Sequence, residues 1–378
     1  MLNLLSAVAG AFLIIVVLWE TFETIVLPRR VTRQFRFTRF FYLYTWLPWS
    51  ALAATRKEKK KRESLLSFYG PISLLLLLAF WAVTLVFGFG LLHYGTESVF
   101  SGAVFPNRFG NALYMSGTTL FTLGLGDLTP TSSGARFITV LEAGIGFGFL
   151  ALVIGYLPVL YQAFSKREVT ISLLDARAGS PPTATELLRR HAGPHGMDAL
   201  LKILEDWEQW SAELMESHLS YPVLAYFRSQ HDNQSWLGSL VTILDTCALT
   251  MVGLEGMCQY QAKMTFAIAR HALVDLSQIF NAPPVSEPSH DRLPPGELMA
   301  MREQLRDNKF VLTDGDAADL ELSRLRSLYE PYAIALARFL WIELPPWIKQ
   351  GTIKDNWKTS AWKQQQVLAE KVAQEEHF

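Results

Sequence analysis

The chain has 378 residues, half of them hydrophobic, and 34 Lys and Arg against 35 Asp and Glu for a formal net charge of −1. That length leaves room for more than one domain, and so balanced a charge excludes the basic field of a nucleic-acid binder and identifies no partner. Two cysteines, Cys247 and Cys258, give neither a metal-ligand spacing nor a disulfide framework and read as packed thiols of a reducing compartment.

Residues 3–27 are apolar and long enough to cross a hydrocarbon layer of about 30 Å. They lack a basic leader and a small-residue cleavage site, so they read as a retained span. Glu20 and Glu23, near the inner end, are expected to reach Arg29 or Arg30. Between Leu27 and Glu63 eleven Lys and Arg face one acid, Glu58. Such a bias marks a cytoplasmic segment and puts the N-terminus outside. Anionic lipid headgroups are the expected partners from Arg29 to Arg62. Arg30, Arg33, Arg36 and Arg39 repeat at the spacing of a voltage sensor, yet one preceding span cannot supply the counter-charges a sensor needs, so a surface helix is the better reading. Residues 35–54 are aromatic-rich, include Pro48 and have basic clusters at both ends, which suits an interfacial or re-entrant segment. Residues 65–94 form the second clear span, and residues 95–107 an outer turret.

The most informative stretch follows: Thr118-Thr119-Leu120-Phe121-Thr122-Leu123-Gly124-Leu125-Gly126-Asp127-Leu128-Thr129-Pro130. From Thr122 to Gly126 it offers a run of backbone carbonyls, a hydroxyl at one end, and two glycines free to adopt angles closed to residues with a Cβ. A run of this kind can line a pore. Phe87-Gly88-Phe89-Gly90 and Gly144-Ile145-Gly146-Phe147-Gly148 look superficially similar. Each lies inside a continuous apolar span and reads as helix-packing glycine.

The segment resembles the filter of the potassium-channel superfamily, written T-V-G-Y-G-D, with Leu123 and Leu125 as departures. A pore helix at residues 108–121, the filter at 122–127 and an inner helix at 135–164 follow the family's order. Arg136 and Gly146 fall at the places of the family's inner-helix arginine and hinge glycine. The resemblance covers roughly residues 64–165 and implies a homotetramer that passes potassium through one central filter. It makes Thr122, Leu123, Gly124, Leu125, Gly126 and Asp127 the filter, with K+ the permeant ion and no cofactor. In the family the filter tyrosine is braced by two pore-helix tryptophans; here Tyr114 and Met115 stand at those places, so filter and brace have changed together. Asp127 is expected both to draw cations to the outer mouth and to accept a bond from Tyr114. Some family members carry a pore-helix glutamate where this chain has Thr118. Glu142, an acid within the inner span, is expected to replace that brace by bonding Thr118 or Thr119. Gly146 is the candidate gating hinge.

From residue 168 the pattern is soluble. Gly179-Ser180-Pro181-Pro182 reads as a linker, and Thr183 or Thr185 as a helix cap. Residues 197–218, 234–280 and 319–343 carry apolar residues at helical spacing, the last with a kink expected at Pro331. Residues 282–295 hold five prolines and read as a loop. Residues 237–258 are apolar enough for a further span, but Asp245 and Glu255 argue against one. Glu205, Glu208, Glu213, Glu216 and His218 suggest a metal only weakly, since no Glu-x-x-His motif accompanies them; a solvated face is the simpler reading.

The expected architecture is an all-α membrane protein: an N-terminal span at 1–28, a basic interfacial segment at 29–63, a pore module at 64–167 and a helical cytosolic domain at 168–378 that binds an unknown ligand or assembles the tetramer. The expected location is a bacterial inner membrane, with the C-terminal domain cytoplasmic. A non-selective cation channel is the alternative in the same class. In another class, the helical domain would be an enzyme or signalling module anchored by the rest.

Overall fold

The computed structural model describes residues 1–27, 37–102, 104–193, 195–231, 233–286 and 291–349. The protein is an all-α membrane protein, and the only strands among these residues are two of two residues each. The chain divides into two compact units, residues 1–57 with 64–162, and residues 58–63 with 163 onward.

In the first unit, α1 (Leu2–Thr21) runs on into a π-helical turn, Phe22–Val26. It packs antiparallel against α3 (Lys59–Gly95) through small residues. A Cβ on Gly10 would stand 2.4 Å from the Gly88 carbonyl oxygen, and one on Gly95 would stand 2.3 Å from the Ala7 amide. Bare backbones approaching this closely are how membrane helices gain contact without a hydrophobic driving force. Further along α3 the partner changes. α2 (Phe37–Ala54) runs antiparallel to it, with Phe37 stacked on Phe80 at 4.7 Å, Thr45 Oγ1 2.9 Å from Tyr69 Oη, and Trp49 Nε1 donating to the Leu65 carbonyl at 3.1 Å. A helix of 37 residues is about 55 Å long, well beyond the hydrocarbon thickness, and α1 and α2 cover it in succession.

The junction between α1 and α2 is built around Glu20. Glu20 accepts from the amides of Phe37 at 3.1 Å and Thr38 at 3.0 Å, and from the Thr38 hydroxyl at 2.8 Å. A carboxylate at a helix start satisfies orphan amides and meets the positive end of the dipole. Glu23 accepts from Trp19 Nε1 at 2.8 Å. Arg29, Arg30, Arg33 and Arg36 lie outside the described residues.

Next, α4 (Arg108–Leu120) opens on Asn107, whose side chain accepts from the Gly110 amide. It leads into residues 121–128 and then β2 (Thr129–Pro130). β2 pairs antiparallel with β1 (Phe100–Ser101), Phe100 opposite Pro130 and Ser101 opposite Thr129. α5 (Ser133–Ala178) continues unbroken past Pro158 for 14 residues beyond the apolar stretch that ends at 164. Its last turns stay helical because they have a core to enter, with Ile171 and Leu174 each 1% exposed.

The second unit is a helical bundle. Gly179 to Pro182 is no loose linker: Ser180 is fully buried, Gly179 takes φ +84°, and the Pro182 carbonyl accepts from Thr242 Oγ1 at 3.0 Å. Thr183 caps α6 (Ala184–Arg190) through the Glu186 amide at 3.2 Å, while Thr185 donates to the Trp347 carbonyl at 2.6 Å. α7 (Gly196–Ser220), α8 (Trp236–Gly253) and α9 (Met257–Ile279) form the core, and Gly256 at φ +82° turns α8 into α9. α8 is long and apolar enough to cross a membrane, yet it is wrapped by the bundle. Its Asp245 meets Arg292 at 2.7 Å, with Tyr329 donating to the same carboxylate. α10 (Pro295–Asp307), α11 (Asp316–Ser327) and α12 (Glu330–Leu340) are the remaining helices among the described residues of the unit. Pro331 begins α12 rather than kinking a longer helix, because the first turn has no amide to lose there.

Candidate functional site

The loop after α4 has an alternating backbone. Thr122 (φ +57°), Gly124 (φ +54°) and Gly126 (φ +81°) are left-handed, and Leu123 and Leu125 between them are not. Alternating hands turn successive peptide planes back on one another, so the carbonyls gather on one side and the amides on the other. Around Gly124 and Gly126 a Cβ would meet nothing within 4 Å; the glycines answer a dihedral requirement, not a steric one. Thr122 meets the same requirement with a β-branched side chain, a strain of about 1–3 kcal/mol that the surroundings must hold. They do so from the C-terminus of α4. The Thr118 carbonyl accepts from Leu123 N at 2.8 Å and Gly124 N at 3.3 Å, and the Thr119 carbonyl accepts from Thr122 N at 3.0 Å. Carbonyls left over at a helix end thus set the loop.

The far end of the loop is held separately. Tyr114 Oη donates to Asp127 Oδ2 at 2.7 Å, and the Tyr114 ring meets Phe105 edge-on at 5.9 Å. Gly102 passes so close that a Cβ there would lie 2.3 Å from the Asp127 carbonyl oxygen. Thr131 N donates to the Val99 carbonyl at 2.9 Å, and Arg136 Nε to the Pro130 carbonyl at 3.2 Å. Met115 is buried, whereas residues 121–127 are all exposed in the single chain, Leu123 and Leu125 by 61% and 63%.

Behind the loop the expected partnership is corrected. Thr118 is buried, but its hydroxyl turns back to the Met115 carbonyl at 3.0 Å. Residues two apart on a helix face different ways, and it is Ser116 that faces the inner helix. Its hydroxyl meets Glu142 Oε1 and also lies 2.8 Å from the Val86 carbonyl. His93 completes the group, Nε2 3.5 Å from Glu142 Oε2, both side chains fully buried. His93 was missed in the sequence; the available signal was an ionisable side chain inside an apolar span. Gly146 is a contact glycine: a Cβ there would stand 2.4 Å from the Leu120 carbonyl oxygen, and α5 is helical throughout. Gly144, Gly148 and Gly155 face open space in the single chain.

In the second unit, among the described residues, no group of three His, Cys, Asp or Glu side chains is placed to hold a metal. His218 is fully buried and held well below the usual imidazole range, first by burial and then by the guanidinium of Arg167, whose Nη1 is 3.1 Å from its Nε2. Glu205, Glu208, Glu213 and Glu216 lie along α7 and engage Lys202, Gln261, Lys166 and Ser220 respectively.

Residues 72–162 match the model of a family described as ion channel, so the first unit carries an ion-channel domain. The chain is also similar to an uncharacterized membrane protein, YdjJ, of Bacillus subtilis (strain 168), 27% identical over 211 residues. That alignment covers 54% of this chain and 60% of the relative. No solved structure matches the chain.

Proposed function

We propose that four copies of this chain assemble a potassium-preferring channel whose filter is Thr122 to Asp127. The alternating backbone hand from Thr122 to Gly126 carries the reading. It collects carbonyls on one side of the loop, as replacing the hydration shell of a potassium ion requires. Two observations support assembly. Every residue from 121 to 127 is exposed in one chain. Phe137, Val140, Leu141, Phe147 and Ile154 leave an apolar stripe of α5 uncovered, with Gly144, Gly148 and Gly155 open beside it. The Tyr114 to Asp127 bond fixes the outer mouth and sets a ring of four carboxylates that concentrates cations. Around Arg56 to Arg62 the basic residues meet anionic headgroups, and the second unit regulates the pore in response to a ligand or holds the tetramer together. The N-terminus and the residue 95–107 loop face outward in this arrangement, in a bacterial inner membrane.

Leu125 in place of a hydrogen-bonding aromatic favours a second reading, in which the filter admits sodium as well. Flux into liposomes holding the purified chain, with potassium or sodium as the sole permeant cation, separates the two. Potassium flux well above sodium is expected. Gly124→Ala is expected to abolish it, because a Cβ at φ +54° costs about 1–2 kcal/mol in each subunit. Equal flux of both ions would favour the non-selective reading; no flux would count against a channel.

A further inference from the structure

The proton inventory behind the filter is more restrictive than an ion pair. The Ser116 hydroxyl carries a single hydrogen. Two groups claim it: the Val86 carbonyl at 2.8 Å, which can only accept, and Glu142 Oε1. If the hydrogen goes to Val86, the contact with Glu142 is made only by a carboxyl that itself donates. On the other side, His93 Nδ1 lies 2.9 Å from Ser98 Oγ and Nε2 faces Glu142 Oε2 at 3.5 Å. A neutral imidazole accepts at one nitrogen and donates at the other, which fits both neighbours.

We propose, on the reading of the first unit as a pore, that Glu142 is a neutral acid and that His93, Glu142 and Ser116 are positioning residues for the filter. They form a one-way series, Ser98 O–H to His93 Nδ1, Glu142 Oε1–H to Ser116 Oγ, and Ser116 O–H to the Val86 carbonyl, with His93 Nε2–H facing Glu142 Oε2 across 3.5 Å, longer than a formed hydrogen bond. The series links α4 to α5 and brings His93 of α3 against the same carboxyl, with no net charge in a site where both titratable side chains are fully buried. Among the described residues, the polar groups that meet the Glu142 carboxyl are His93 on α3 and Ser116 on α4. The charged residues at the outer end of this unit have their own partners: Glu97 accepts from Asn3 on α1, Asp127 from Tyr114, and Arg136 donates to the Pro130 carbonyl. The lever arm is short. Ser116 lies two residues before Thr118, whose carbonyl takes the amides of Leu123 and Gly124. A shift of α4 at Ser116 therefore moves the filter directly.

The test uses the full chain in lipid with its glutamate carboxyl carbons isotopically labelled. Infrared spectra at about pH 7 are expected to show a protonated-carboxyl band in the wild type that Glu142→Gln lacks; its absence, with Glu142 present as a carboxylate, overturns the proposal. In flux, Glu142→Gln is expected to keep wild-type behaviour, since an amide donates to Ser116 and accepts from His93 in the same places. Glu142→Leu and Ser116→Ala are expected to lose ion preference. An ion pair predicts the reverse, with Gln as damaging as Leu, and that result also overturns the proposal. Should the wild type pass no ions, the pore reading fails, and the infrared band still decides the state of Glu142 whether or not Glu142→Leu folds.

Discussion

Tyr114 donates to Asp127 at 2.7 Å from a ring already seated against Phe105, so one hydroxyl links α4 to the far end of the loop proposed as the filter. Tyr114→Phe keeps the ring and its packing and removes only that link. The expected outcome is a protein that folds and assembles as before but whose conductance declines during sustained flux. Single-channel recording checks this, and an unchanged open time would mean that Gly102 and the β1–β2 pair hold the outer end unaided. At this scale the backbone of the loop was legible in the sequence because its demand is on dihedral angles. Left-handed angles at alternate positions write glycine at 124 and 126, and only Thr122 hides the same angle behind a β-branched side chain. The group behind it was half legible. Glu142 announced itself as an acid in a span, but Ser116 and His93 stand on other helices, and no periodicity relates positions on α3, α4 and α5.

Among the elements, α4 and α5 meet through Gly146, and the meaning of that glycine separates a hinge from a contact. A missing side chain permits either bending or close approach. In the fold a Cβ at 146 would press on the Leu120 carbonyl oxygen at 2.4 Å, while one at 144 or 148 would meet nothing within 4 Å. Gly146→Ala is therefore expected to push α5 from the end of α4, an overpacking cost of about 1–3 kcal/mol per chain. It should shift thermal unfolding and disturb the filter together. The check is melting followed by flux for Gly146→Ala beside Gly144→Ala; equal melting temperatures would remove the contact role. The same physics explains α1 and α2. Their succession along α3 rests on backbone approach at Gly10, Gly88 and Gly95 and on the capping of α2 by Glu20, neither of which hydropathy registers.

For the whole molecule, α5 begins in the first unit and ends in the second, where its last turn is fixed. Arg190 donates to the Ala176 carbonyl at 2.5 Å near the end of α5, and Glu186 aligns Arg190 at 2.6 Å while pairing with Arg189 at 2.8 Å. This clamp was not legible: Gly179 to Pro182 has the composition of a linker, and only the burial of Ser180 and the bonds of Thr183 and Thr185 reveal a packed corner. Burial of Glu186 favours its neutral form, but the two guanidiniums outweigh it and hold the carboxyl down at about 2, against an ordinary value of 4.5. A carboxyl depressed on folding binds fewer protons folded than unfolded, so its contribution to stability is whole above about pH 4.5 and drains away as the pH falls toward about 2. Unfolding of the full chain in detergent, followed by tryptophan fluorescence, is expected to show wild type exceeding Glu186→Gln at pH 7 by a margin that closes across this window. A margin that stays constant with pH would mean that the clamp contributes by packing rather than by charge. A margin that closes should do so together with rising proteolytic access near Ala178, because losing the carboxylate leaves Arg190 without the group that aims it at α5.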